Sequence, residues 1–238
     1  IENHFMKIKS KLLTLIVMFL LTGNAIAEPE KTGFYLKTGI AMMKNNTIGE
    51  LLSSSSPDTI RSKSKYSPLY SLGIGYYFSD SIRGDFVLGA NFIDFKEGHY
   101  TLYRNTGISK FVQKRKANIY SAMFNCYVDV IKLSDFSLFA GAGTGIAQLM
   151  ENVRVNTSEY NTANILFDQD RILRYRECFN FTYSLILGGT IKLNDSFKLD
   201  IAYNYQDYGK LKPRNDPPTL DYPRYKGHVV GIGLRFDI

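Results

Sequence analysis

This chain of 238 residues has no tryptophan, two cysteines and three histidines. Two cysteines, Cys126 and Cys178, cannot build a disulfide framework or a four-thiolate zinc site. Only His99 and His228 lie beyond residue 28, which leaves little from which to assemble a metal centre or a catalytic triad. No run of about twenty apolar residues occurs after residue 27, so no membrane-spanning helix is expected there. Nor is the 3.6-residue period of an amphipathic helix sustained anywhere. Abundant instead are tyrosine and phenylalanine, 17 and 16 residues, a composition suited to strands.

The first residues read as an address rather than as structure. Lys7, Lys9 and Lys11 precede a short apolar core, Leu12 to Leu21, and Ala25-Ile26-Ala27 supplies a small-x-small cleavage signal. Residues 1–27 are therefore expected to be an upstream extension, Ile1 to Phe5 ahead of Met6, plus a cleaved export signal. The mature chain is then 28–238, a single domain. Its net charge falls from +7 to +5 with the loss of three lysines and Glu2.

Eight stretches alternate apolar with polar or glycine residues: 33–43, 67–78, 83–95, 117–131, 136–150, 179–193, 197–208 and 226–238. In the seventh, Phe197, Leu199, Ile201, Tyr203 and Tyr205 alternate with Lys198, Asp200, Ala202, Asn204 and Gln206, and a period of two puts the sets on opposite faces. In 226–238 the apolar set is Val230, Ile232, Leu234, Phe236 and Ile238, opposite Gly231, Gly233, Arg235 and Asp237. The connections alternate strictly. Those at 79–82, 132–135 and 194–196 are tight and rich in Asp, Asn and Ser; those at 44–66, 96–116, 151–178 and 209–225 are long. This pattern behind an export signal predicts an all-β fold. It is an eight-stranded antiparallel up-and-down transmembrane β-barrel with three short periplasmic turns and four long extracellular loops. Closure removes the strand edges that hydrocarbon would not tolerate.

An eight-stranded lumen is just wide enough to be filled by side chains. Parity places Lys37, Arg83, Asp85, Asp129, Lys192, Lys198, Asp200, Arg235 and Asp237 inside. Both signs are present and an unpaired interior charge is costly, so an ion-pair network plugging the barrel is expected.

The sequence resembles a known family at several segments. These are Tyr70-Ser71-Leu72-Gly73-Ile74-Gly75-Tyr76-Tyr77-Phe78, Arg83-Gly84-Asp85-Phe86, Ser121-Ala122-Met123-Phe124-Asn125-Cys126-Tyr127-Val128-Asp129 and Gly231-Ile232-Gly233-Leu234-Arg235-Phe236. Across its whole mature length the chain is similar to the small OmpA-like and opacity-type outer-membrane barrels. It is particularly similar to the surface-antigen and adhesin barrels of obligate intracellular alphaproteobacteria. One departure is the end: such barrels commonly finish on an aromatic residue, whereas this sequence closes Phe236-Asp237-Ile238. The resemblance implies a surface antigen or adhesin in the outer membrane of a Gram-negative bacterium.

Other motifs carry less. Arg83-Gly84-Asp85 spells an integrin-recognition tripeptide, but parity points both charged side chains into the barrel. Gly141 to Gly145 lacks the Gly-Lys-Ser/Thr ending of a phosphate loop and reads as a strand of small residues. Neither histidine sits in a recognisable lipid-modifying pattern, so no catalytic residue, cofactor or metal is expected. Cys126, facing lipid, and Cys178, near the outer end of its strand, are expected to be free thiols. The expected loops are basic: Lys110, Lys114, Arg115 and Lys116 in the second, Arg171, Arg174 and Arg176 in the third, and Lys210, Lys212, Arg214, Arg224 and Lys226 in the fourth. Tyr175, Tyr208, Tyr222 and Tyr225 are candidates for packing there or for a membrane girdle. Such clusters attract polyanions, either sulfated glycans of a host cell or acidic outer-leaflet lipid. A monomeric adhesin contacting a host-cell receptor or sulfated glycan through these loops is the leading expectation. A small porin or a structural envelope barrel is the alternative, and nucleic acid is not an expected partner.

Overall fold

The computed structural model describes residues 33–46, 48–51, 60–63, 66–104, 107–161, 166–212 and 223–238. In chain order the strands are β1 (Gly33–Asn45), β2 (Ile48–Leu51), β3 (Ile60–Lys63), β4 (Tyr66–Tyr77), β5 (Ile82–Asp94), β6 (Gly98–Arg104), β7 (Gly107–Lys132), β8 (Phe136–Asn161), β9 (Leu166–Lys192), β10 (Phe197–Lys210) and β11 (Arg224–Asp237). Eight of them form a ring in the order β5-β4-β1-β11-β10-β9-β8-β7, which β5–β7 pairing closes. Every pairing is antiparallel. β2 and β3 form a separate hairpin, and β6 adds to the far half of β7.

The alternation read from the sequence is the alternation of the barrel wall. Leu72, Ile74, Phe86, Leu88, Phe124, Leu185, Leu187, Ile201, Val230 and Ile232 are all exposed on the outside. So much contiguous apolar surface is untenable in water and is what a lipid-facing belt requires. At the tight-turn end the belt is rimmed by aromatic pairs: Phe34 with Tyr76 at 4.9 Å, Tyr76 with Phe78 at 5.4 Å, and Phe197 with Phe236 at 5.0 Å between ring centroids.

Inside, glycines on one strand make room for large side chains from the next. A Cβ on Gly75 would lie 2.1 Å from the Tyr35 ring, and one on Gly143 would lie 1.9 Å from Asn125 Oδ1. Gly209 is different: its φ of 85° falls where the β10–β11 register shifts, a conformation that glycine adopts without strain.

Three of the expected loops carry sheet, the first of them, 44–66, as the β2–β3 pair. β1, β4, β5, β10 and β11 are 12 to 14 residues long, close to the 9–11 or so that a tilted strand needs to cross a bilayer. β7, β8 and β9 run to 26, 26 and 27 residues. The segments 96–116 and 151–178, expected as loops, thus carry β6 and the far halves of β7, β8 and β9. The pairing runs unbroken from Lys132↔Ser137 to Gly107↔Asn161 apart from one register shift near Asp129. Ten residues of β7 beyond Ala117 amount to roughly 35 Å of strand standing past the apolar belt.

Candidate functional site

The lumen is filled in layers. Nearest the tight turns lies a network of ion pairs. Asp85 accepts from Lys37 Nζ at 3.2 Å, Asn125 Nδ2 at 2.7 Å and Tyr127 OH at 3.2 Å. Arg235 reaches Asp200 and Thr190, each at 2.8 Å, and Tyr77 OH at 2.9 Å. Lys198 pairs with Asp237 at 2.8 Å and donates to the same Tyr77 hydroxyl at 2.9 Å. Arg83 pairs with Asp129 while its guanidinium lies over the rings of Tyr127 and Phe139, 4.8 and 4.5 Å from their centroids. Four cations thereby face four carboxylates, which is how charge is tolerated in a narrow interior. The tripeptide Arg83-Gly84-Asp85 is committed here, with both charged side chains buried.

Lys192 is the exception among the expected interior charges. Its parity points inward, but it sits directly opposite Lys198 on the last rung of the β9–β10 ladder, where the lumen has ended. It turns out to the rim and pairs with Asp195 at 2.8 Å.

Above the network is a cavity of about 120 Å³, lined by Gly39, Ser71, Gly89, Ser121, Asn204 and Gln206 among others. Above that, an apolar layer of Met43, Ile93, Ile119, Leu149, Tyr208, Leu211, Tyr225 and Val229 fills the barrel. Capping this layer, Arg115 pairs with Glu151. Tyr225 donates to Glu151 at 2.7 Å, and Arg115 lies over the Phe95 ring at 4.5 Å. Arg176 stands 3.9 Å from the same carboxylate. With the lumen occupied at both ends, the purified protein in planar bilayers is expected to show no stable single-channel steps. A large, persistent conductance would contradict the packing.

This placement corrects several expectations for the basic residues. Arg115 is not a surface residue but a buried one inside the barrel, and Arg176 is turned toward the same site. Tyr208 and Tyr225 are buried in the lumen rather than at the rim, whereas Tyr175 is exposed. Lys114 and Lys116 are exposed on β7, but they face Glu97 at 3.4 Å and Asp94 at 3.6 Å. Pairs this exposed contribute about 0–1 kcal/mol and exchange freely with another anion. Lys110, Lys210 and Lys212 are exposed. Arg224 forks onto Asp207, at 2.9 and 3.1 Å from Nε. Arg214 and Tyr222, together with the side chains of Arg171 and Arg174 on β9, lie outside the described residues. Cys126 is exposed on the lipid face and Cys178 half-buried, both as free thiols.

His99 is exposed, 3.9 Å from Glu97. His228 Nδ1 lies 2.6 Å from Tyr203 OH, and its ring stacks on Tyr203 at 5.9 Å. Among the described residues, no group of three or more His, Cys, Asp or Glu is placed to hold a metal ion.

A ring of eight antiparallel strands with a lipid-facing apolar wall and a charge-filled lumen defines a transmembrane β-barrel of the bacterial outer membrane. The chain belongs to the outer membrane protein beta-barrel domain family, whose model matches residues 13–236. It is 30% identical over 226 residues to a protein of Rickettsia massiliae provisionally named an adhesin, covering 90% of this chain and 92% of that one. A Rickettsia typhi protein with the same provisional name is 30% identical over 227 residues, again covering 90% and 92%. Among solved structures it is similar to Neisserial surface protein A, with a TM-score of 0.47 and 15% identity, over 89% of this chain and all of that one.

Proposed function

We propose that this protein is a surface adhesin whose closed barrel serves as a pedestal, with the tight turns in the periplasm and the extended sheet outside the cell. One observation carries the reading: β7, β8 and β9 are about twice the length needed to cross a bilayer, and they project sheet rather than loop beyond the belt. A pore would have no use for such a structure, and the filled lumen argues the same way. The provisional adhesin names of the rickettsial relatives agree with it. Hydrogen-bonded strands hold a binding face with less ordering cost than loops of equal length, so contact with a host surface is cheaper.

Lys110, Lys114, Lys116, Lys210 and Lys212 give this end an exchangeable positive surface, suited to a sulfated glycan or an acidic receptor patch. The test is display of the barrel on a non-adherent bacterium. Binding to host cells is expected above that of the empty strain, and to fall on addition of a soluble sulfated glycan. Binding unchanged by the glycan would remove the polyanion from the proposal while leaving adhesion.

A further inference from the structure

On the outer wall, at the upper edge of the apolar belt, the register places one row of side chains across four strands. Tyr66 of β4 lies opposite Lys44 of β1, Lys44 opposite His228 of β11, and His228 opposite Tyr205 of β10. One rung below are apolar residues that face the acyl chains, Met42 opposite Val230 and Val230 opposite Tyr203. One rung above on β11 is Lys226. All these side chains belong to the outward set of their strands.

The charges in this region do not cancel. Asp207 of β10 lies directly opposite Lys226, but its carboxylate is held by Arg224 and by the Tyr183 hydroxyl at 3.2 Å, and its side chain is buried beneath them. His228 is engaged with Tyr203. Lys44 and Lys226 have no carboxylate partner among the described residues. With Asp207 taken by Arg224, two ammonium groups without an ion pair stand directly above an apolar wall, flanked by tyrosines at the level where lipid headgroups lie.

We infer that this row is a binding site for the phosphate group of an outer-leaflet lipid, with Lys44 and Lys226 as the phosphate ligands and Tyr66 and Tyr205 as the flanking walls. The order of chemistry matches such a molecule from end to end: aliphatic groups below, aromatic rings at the interface, ammonium groups above. A soluble glycan would have no use for the apolar rungs directly beneath the cations, which is why lipid is favoured. The leaflet assignment rests on the orientation proposed above; the phosphate site itself does not.

The test is native mass spectrometry of the full barrel released from a neutral detergent doped with a phosphorylated glycolipid or its dephosphorylated form. Wild type is expected to retain the phosphorylated lipid preferentially. Lys44→Gln with Lys226→Gln should weaken that retention roughly tenfold or more, since each lysine near a lipid surface is worth about fivefold. Lys192→Gln, at the tight-turn rim, is the control and should retain lipid as wild type does. Equal retention of both lipids, or no effect of the double variant, would overturn the site. So would a double variant that loses only sulfated-glycan binding, because the row would then be a glycan surface. Binding in detergent is independent of orientation, which protease access to an epitope placed between β8 and β9 reads separately on intact cells.

Discussion

Replacing Arg115 with alanine is expected to cost the barrel about 3–5 kcal/mol, the toll of leaving a buried carboxylate without its cation. Glu151 is buried in the lumen between the apolar layer and the projecting sheet, and it takes its charge balance from Arg115. Tyr225 donates to it, but a phenol does not neutralise a carboxylate. Arg176 Nη1 stands 3.9 Å from the other carboxylate oxygen, a longer contact that offsets only part of the loss. The loss should be read as a lower urea midpoint for unfolding in detergent micelles. The double change Arg115→Met with Glu151→Leu should recover most of it, because removing both charges removes the desolvation cost along with the attraction. Alanine at 115 with wild-type stability but impaired host-cell binding would return Arg115 to the surface.

Arginine in place of Ile232 is expected to cost about 2–4 kcal/mol in a bilayer, the penalty for a cation facing lipid near the midplane. Ile232 lies on the outward face of β11, directly between Ile40 of β1 and Ile201 of β10, in the middle of the apolar belt. The same substitution at Asn118, outward on β7 at the belt's upper edge, should cost only about 0–1 kcal/mol. Both are measured by reversible unfolding from phospholipid vesicles. Equal costs at the two positions would mean that the belt has been placed at the wrong height.

The sequence was informative wherever each side chain has only two choices of surroundings. Along 197–208, Ile201 meets lipid and Asp200 meets the lumen, so hydrophobicity reports the face one residue at a time. The same parity points Lys192 inward, but parity holds past the last rung of the β9–β10 ladder whereas the lumen does not. It also failed above the belt. There both faces of the sheet can be polar, the period of two fades, and 96–116 and 151–178 look like loops although they carry strand. Arg115 was hidden for this reason. Its partner Glu151 lies 36 residues along the chain, and the two meet only through the β7–β8 register that sets Ala117 against Glu151. The buried tyrosines were obscured by chemistry instead: Tyr225 in the lumen and Tyr203 at the lipid interface are the same residue type in neighbouring strands.

The most direct test of the pedestal reading compares two barrels displayed on the same non-adherent bacterium. One is the native chain. The other has the far halves of β7, β8 and β9 replaced by short turns near Lys114, Arg154 and Ile172, one rung above the Arg115–Glu151 pair, with the belt and the filled lumen intact. Both must show the compact mobility of a folded barrel on unheated gels and equal surface labelling. Host-cell binding should be lost with the projecting sheet. Undiminished binding by the shortened barrel would place the contact elsewhere and contradict the account.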